Sequence, residues 1–372
     1  MMRGLILHTA LAAAFLAAPS TASAAPARPA SGEQCYPGTA AEPLEDEVVV
    51  DGSGGTFWEI FKEKVAKPFE AKCGVRVTLT VTPGRPLSQV FDYVRRNQVP
   101  WDISFFNKPW ELREGIAQNA YERFPPGFWD PIKDQLLPNS YSDYGTWLSS
   151  YSNVLIYNPK VFPEGMRSWA DFWDTARFPG PRTMQNNPLN IIAALLADGV
   201  TNEQMYPITD DKLRRAFAKL NELRPSISSF WTATDQPIQG VHRGDFVAGI
   251  VYSGRANAGI LRGYDIAINW NQNIFDVAWF FRPRGSRHPR AGAALLYFLN
   301  QFPEVSAELA KQTGYSYANR NMERFLSPEQ AGALATSHRD QAAVVDTEWW
   351  AENGPRVTRL WNEWVASGKM PL

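Results

Sequence analysis

The feature that most restricts how this chain can fold is an alternation of strand and helix that begins at Glu47. Val48 to Val50 is an unbroken apolar run, the pattern of a strand covered on both faces. Gly52-Ser53-Gly54-Gly55-Thr56 then reads as a loop, and Phe57, Ile60, Phe61, Val65 and Phe69 recur at helical spacing until Gly74 closes the helix. A second strand at Val75 to Val81, a helix from Leu87 to Arg96 and a third strand at Trp101 to Phe106 complete a βαβαβ block. Such a block implies parallel pairing with right-handed crossovers, so the fold class is α/β.

A second alternating block follows. It predicts a strand at Asn153 to Tyr157, then a helix opened by Ser168, whose capping partner Asp171 stands three residues on. Helices at Leu189 to Ala197 and Lys212 to Leu223 and strands at Phe246 to Tyr252 and Asp265 to Trp270 continue it. Toward the carboxyl end the pattern is mostly helical, with Ala291 to Asn300, Pro303 to Lys311, Pro328 to Ala335 and Pro355 to Ala366 carrying apolar positions three and four apart. Two alternating blocks within 372 residues suit two lobes better than one core.

The amino-terminal end carries a targeting pattern. Arg3 precedes the apolar run Leu5 to Ala18, too short for a membrane anchor, and Ala22-Ser23-Ala24 offers a small-residue cleavage site. Residues 1–24 are therefore expected to be a cleaved signal peptide and 25–46, rich in Ala, Pro and Gly, a flexible lead-in. Export makes the expected location periplasmic. In that oxidising compartment the two cysteines, Cys35 and Cys73, are expected to form a disulfide. Cys35 follows Gly-Glu-Gln, without the apolar residue a lipidated cysteine needs.

Composition removes several classes of function. The 37 basic and 38 acidic side chains leave a net charge of -1, so there is no basic excess for a nucleic-acid partner. The glycine loop at 52–56 lacks both phosphate-binding spacings: Phe57 stands where a dinucleotide fingerprint needs its third Gly, and no Gly-Lys-Ser/Thr follows. Gly314-Tyr315-Ser316-Tyr317-Ala318 imitates a serine-hydrolase elbow, but a helix precedes it where that motif needs a strand. His242, His288 and His338 lie far apart, without metal-ligand spacing. No cofactor, metal or catalytic residue is expected, and the chain does not read as an enzyme.

The chain resembles the solute-binding proteins of bacterial ABC importers, in the branch of the spermidine and putrescine receptors, over residues 47 to 367. The stretches that carry the resemblance are Pro68-Phe69-Glu70 with Gly74, Tyr157-Asn158-Pro159, Ser168 to Trp173, Leu195 to Val200, Trp231-Thr232 and Gly254-Arg255, followed by Pro283 to Ser286, Phe298-Leu299-Asn300, Pro303-Glu304, Gly314-Tyr315 and Glu348 to Asn353 with Trp361 and Trp364. The resemblance implies a type II, periplasmic-binding-protein-like fold. Its two α/β lobes, 47–150 plus 277–318 and 151–276 plus 319–372, are joined by strand crossings near Tyr151, between Tyr252 and Asp276, and near Tyr315. It further implies a monomer that encloses a small polar solute, a polyamine or other amine-bearing compound, by hinge closure and delivers it to an ABC permease of the inner membrane. A secreted hydrolase and a ligand sensor for a membrane receptor are the alternatives.

In polyamine receptors aromatic faces hold methylene chains while carboxylates pair with ammonium groups. On that division of labour the expected ligand-binding residues are Gly54, Gly55 and Thr56, Trp101 and Asp102, Trp147 and Ser152, Trp231 and Asp235, and Trp270 with Asp276. Trp349, Trp350, Trp361 and Trp364 are assigned to packing on the second lobe. One segment departs from the polyamine pattern: Gln185-Asn186-Asn187-Pro188-Leu189 carries amides and a leucine where those receptors carry acids. That permits a ligand with fewer cationic groups, such as an opine-like amino-acid conjugate. Asn186 then joins the ligand-binding set, and Arg255 or Arg182 can pair with a carboxylate.

Overall fold

A computed structural model describes residues 35–37, 43–82, 86–106, 108 and 111–372. The expected signal peptide and most of the lead-in lie outside the described residues. Strand β1 (Glu47–Gly52) leads into helix α1 (Thr56–Phe61), which runs on through a π-helical turn at Lys62–Ala66 into α2 (Lys67–Cys73). Gly74, at φ 67°, ends the helix in the left-handed region that glycine enters without a side-chain clash. The Cys35–Cys73 disulfide is present and ties the lead-in to the end of α2.

Strand β2 (Arg76–Val81) pairs in parallel with β1. Helix α3 (Leu87–Arg95), strand β3 (Ser104–Phe106) and helix α4 (Glu111–Ala117) follow. The alternation from Glu47 thus produces its strands and helices, but β3 meets the parallel pair just at its start, through the Val50–Ile103 bridge and the Ser104–Asp51 hydrogen bond. Its other edge runs antiparallel to a strand from much later in the chain. Period and apolar content specify a strand; the partner on its far edge depends on distant residues.

The second block contains the long strand β4 (Gly145–Tyr157), helix α5 (Trp169–Trp173), β5 (Arg182–Gln185), α6 (Asn190–Ala197), α7 (Asp210–Leu223), β6 (Ile227–Trp231), α8 (Gln236–Arg243), β7 (Ala248–Tyr252), α9 (Ser253–Leu261) and the longest strand, β8 (Ala267–Phe281). Helices α10 (Pro289–Gln301), α11 (Pro303–Thr313) and α12 (Pro328–Gly332), strand β9 (Ala343–Val344) and helix α13 (Thr347–Ser367) complete the order. Among the described residues, seven strands form one mixed sheet in the order β3-β8-β4-β7-β5-β6, with β9 against β8. As the capping pattern predicts, the Ser168 hydroxyl accepts from the Asp171 amide at 3.2 Å. Replacing such a cap by alanine removes that acceptor, so Ser168→Ala is expected to lower stability by about 1 kcal/mol, read as a lower urea midpoint.

Strands β4 and β8 are the frame of the molecule. They pair antiparallel from Gly145–Phe281 to Tyr157–Ala267, with a register shift between Asn153 and Leu155 where residues 270 to 273 leave the ladder. Buried side chains gather in separate clusters along them. One includes Val48, Phe61, Phe69, Trp101, Phe280 and helices α10 and α11. Another includes Trp169, Phe172, helices α6 and α7, and Trp350, Trp361 and Trp364. A third, smaller cluster surrounds Trp231 and Val251. Met322, Leu334, Ala335 and Ala342 pack in the first cluster, and after Ile274 the chain returns to the second at Ala343. The two long strands therefore connect the two cores, with Ser150–Ser316 bridging a third segment to β4.

Candidate functional site

Between the two cores a cavity of about 200 Å³ opens where β4, β7 and the segment after α11 meet. Ser53, Gly54, Phe57 and Trp58 enter it from the β1–α1 loop and α1, Phe105 from β3, Leu148, Ser149 and Tyr151 from β4, and Ala278 from β8. Thr234, Tyr252 and Arg255 enter from the other side, and Tyr315 from the segment after α11. Loop backbone reaches the wall because Gly54 and Gly55, at φ 74° and 82°, let the chain turn tightly before α1. Gly254 has a different role. A Cβ there would lie 2.4 Å from the Tyr315 ring, so only glycine lets the start of α9 approach that tyrosine and set Arg255 beside it.

The walls are aromatic. Tyr151 meets Tyr252 edge-on at 5.0 Å between ring centres and Tyr315 at 6.2 Å, while Phe57 lies 6.2 Å from Tyr315. Burial raises all three phenols, so each stays neutral and able to donate a hydrogen bond at physiological pH. Arg255 is the only charged side chain among the described residues lining the cavity. Its Nε–H is buried and meets no acceptor there, and its nearest acid, Asp235, is a largely exposed group 3.9 Å away. A guanidinium with a free donor inside an aromatic wall is suited to a carboxylate, which can take two N–H groups at once.

The structure separates the residues expected to bind ligand. Gly54 and Arg255 line the cavity, and Asp235 stands at its rim through Arg255. Gly55 and Thr56 are exposed and outside the lining. The other expected residues lie outside this lining. Trp101 is buried in the first core, edge-on to Tyr93. Asp102 faces inward and accepts from the Val49 amide and from the amide and ring Nδ1 of His288, each at 2.8 Å, so its carboxylate joins β1 to the approach of α10.

Trp147, paired with Trp279, lies on the opposite face of the β4–β8 ladder, whereas Asp276 stands directly opposite Tyr151 on the cleft face, buried behind that ring and accepting from its hydroxyl at 3.2 Å. Ser152 donates from its hydroxyl to Asn273 Oδ1 at 2.5 Å. Trp231 stands one layer behind the wall, edge-on to Tyr252, with its indole bonded to the Ile250 carbonyl. Trp270 leaves the ladder at the register shift and stacks on His338 at 4.0 Å. In the amide-rich segment, Gln185 donates to the Tyr252 hydroxyl, supporting a wall residue, while Asn186 accepts from the Trp361 indole. Arg182, considered for a carboxylate, is fully buried and donates to the carbonyls of Phe172, Phe178 and Gly180. Ser316 is buried, its Oγ accepting from Thr336.

Sequence reasoning missed Tyr151, Tyr252, Tyr315 and Phe57 as a set, although Tyr151, Tyr252 and Tyr315 mark the three expected crossings. Aromatic residues at chain crossings were the available signal: the crossings are where both cores meet, so side chains there face the space between them.

Asp276 carries the largest resolved carboxylate shift. Desolvation pushes it up to about 7, against the opposing hydrogen bonds from the Val277 amide and the Tyr151 hydroxyl. The unfolded carboxyl titrates near 3.8. As pH falls from about 7 toward that value the native state takes up the proton first, so this group adds stability in that direction. Asp276→Asn is expected to flatten the slope of stability against pH between about 4 and 7 by up to about 1 kcal/mol per pH unit, measured from urea midpoints at several pH values.

Two α/β cores joined by paired long strands, with an aromatic cavity holding one cationic group between them, define a protein that takes a small solute between two lobes. The chain belongs to the family of bacterial extracellular solute-binding proteins, whose pattern matches residues 64–367. It is 30% identical over 333 residues to the gamma-aminobutyric acid-binding protein of Pseudomonas aeruginosa, a match covering 88% of this chain and 93% of that one. Among solved structures, the Atu4243 GABA receptor superposes with a TM-score of 0.78 at 27% identity, over 86% of this chain and 98% of that chain. The binding protein MotA from A. tumefaciens B6, in complex with glucopine, superposes with a TM-score of 0.75 at 25% identity, over 85% and 99%. The fold is thus the two-lobed periplasmic-binding-protein type, and the function is that of a solute-binding component of an ABC transporter.

Proposed function

We propose that this protein captures a small ω-amino acid such as gamma-aminobutyrate, holds it between the lobes without altering it, and presents it to an ABC permease from the periplasm as a monomer. The observation that carries this reading is the chemistry of Arg255: a guanidinium, alone in charge among the described lining residues, with a buried Nε–H that meets no acceptor. The ligand carboxylate occupies that donor. Its ammonium group lies against the faces of Tyr151, Tyr252 and Tyr315, whose ring quadrupoles attract a cation. The cavity, at about 200 Å³, falls below the range of drug-sized ligands, which favours a solute of a few heavy atoms. The GABA-binding relatives support the same ligand class.

A polyamine has less support. Its separate ammonium groups call for acidic partners, and no carboxylate lines the cavity among the described residues. An opine is the second reading, favoured by the glucopine complex of MotA and by the same arginine.

Calorimetry of ligand-stripped protein tests these readings directly. Gamma-aminobutyrate is expected to bind one to one with a micromolar or tighter dissociation constant, while putrescine and spermidine bind at least a hundredfold more weakly. Tight putrescine binding with silence toward every ω-amino acid would reverse the assignment, and tight binding of glucopine alone would move it to the opines.

A further inference from the structure

The three cleft tyrosines differ in where their hydroxyl protons go, and a short relay behind the wall decides it for one of them. Strands β5 and β7 run parallel, with Arg182 opposite Ala248 and Thr183 opposite Gly249, so Gln185 and Tyr252 leave the sheet side by side at the carboxyl ends. Past Gln185 the chain turns tightly: the Asn187 backbone amide and Asn190 Nδ2 both donate to the Gln185 carbonyl, at 2.8 and 2.6 Å.

Side-chain hydrogen bonds in this turn can run in one direction only. The Leu189 backbone N–H, which can only donate, gives its proton to Asn187 Oδ1 at 2.9 Å. Asn187 must then present Nδ2 to Gln185 Oε1, at 3.2 Å, and Gln185 in turn presents Nε2 to the Tyr252 hydroxyl. The Tyr252 oxygen is thereby engaged as an acceptor, and its own proton stays available. Tyr315 receives the Arg255 guanidinium in the same sense. Tyr151 has the reverse polarity, since its hydroxyl donates to Asp276 Oδ2 at 3.2 Å.

We propose that Gln185, oriented by Asn187, sets the specificity of the cleft by fixing Tyr252 as a hydrogen-bond donor, which directs the solute's carboxylate to Tyr252 and Arg255. This rests on the ω-amino-acid reading given above. Gln185 and Asn187 lie outside the cavity lining, so they act through Tyr252 as positioning residues. Tyr252 immediately precedes α9 and Arg255 lies in its first turn, so both donors stand at one corner of the wall. A carboxylate has acceptor capacity for the guanidinium and the phenol together. An acid in place of Gln185 would keep the bond from Asn187 but accept from Tyr252, taking the proton that the solute uses.

Calorimetry with gamma-aminobutyrate on the full chain tests the relay through two variants. Gln185→Glu reverses it directly. Asn187→Asp reverses it one step back, because an acid there accepts from Gln185, turning the carboxamide so that its oxygen faces Tyr252. Each is expected to weaken binding at least about tenfold. On a Tyr252→Phe background, where no phenol proton remains to redirect, each should cost no more than about threefold. Equal losses on both backgrounds would mean a merely structural role or plain repulsion of the solute, and would overturn the proposal. So would unchanged affinity in both variants, and should Gln185→Glu fail to fold, Asn187→Asp alone decides. Normal binding in the relay variants with loss in Arg255→Ala would remove this proposal and leave the functional reading standing, whereas unmodified protein that ignores every ω-amino acid would remove both.

Discussion

Arg255→Ala is expected to weaken binding of a carboxylate-bearing solute by about a hundredfold, close to 3 kcal/mol, while leaving the folded state intact. The magnitude follows from where the guanidinium lies. Its Nε–H is buried without an acceptor, so the ligand carboxylate supplies a charged hydrogen bond inside a wall of tyrosine rings. Asp235 does not saturate this cation, since it is largely exposed and 3.9 Å away. The effect on stability should be modest because removing Arg255 costs the fold that weak, solvent-screened pair and its hydrogen bond to the Tyr315 phenol. Arg255→Lys retains charge but loses the forked donor geometry, and should fall between the two. Calorimetric dissociation constants for gamma-aminobutyrate across the three proteins decide the matter; an affinity unchanged in Arg255→Ala would show that the ligand's anionic end lies elsewhere.

The second large effect concerns Asp102, and it falls on stability instead. This acid is 1% exposed and accepts three hydrogen bonds, from the Val49 amide and from two nitrogens of His288. Asp102→Ala leaves two partly buried amides without their acceptor, each worth about 1–3 kcal/mol when orphaned. A loss on the order of 3 kcal/mol or more in unfolding free energy is expected, read from urea titration, with ligand affinity in the remaining folded protein changed by less than about twofold. The opposite pattern, full stability with lost binding, would return Asp102 to the ligand-binding set.

These two residues show how far residue type carries. Asp102 and Arg255 are both charged residues near the ends of predicted elements, and nothing local distinguishes the structural one from the one in the cleft. His288, the partner that fixes Asp102 in the core, is 186 positions away. The same holds for Trp147, which stands on a cleft-forming strand but on its far side. Side-chain period along a strand is two, so a face is known only once register and any bulge are known. The register of β4 shifts between Trp147 and Ser149 and again between Asn153 and Leu155, and neither shift leaves a mark in the residue pattern.

What local order could specify was specified well. Apolar periodicity located β1, β2, α3, α7 and α10 to within a few residues, the Ser168 cap opened α5, and Gly74 ended α2, because each depends on neighbours within a turn or two of the chain. The cysteine pair and the alternation of elements likewise anticipated the disulfide and the α/β class. The cleft required more. Three tyrosines at 151, 252 and 315, the first and last 164 positions apart, become one wall only when β4 and β7 have paired and α9 has closed on Tyr315 through Gly254. Which charged side chain then faces solute and which is locked in a core is a property of long-range pairing, and short-range chemistry carries no trace of it.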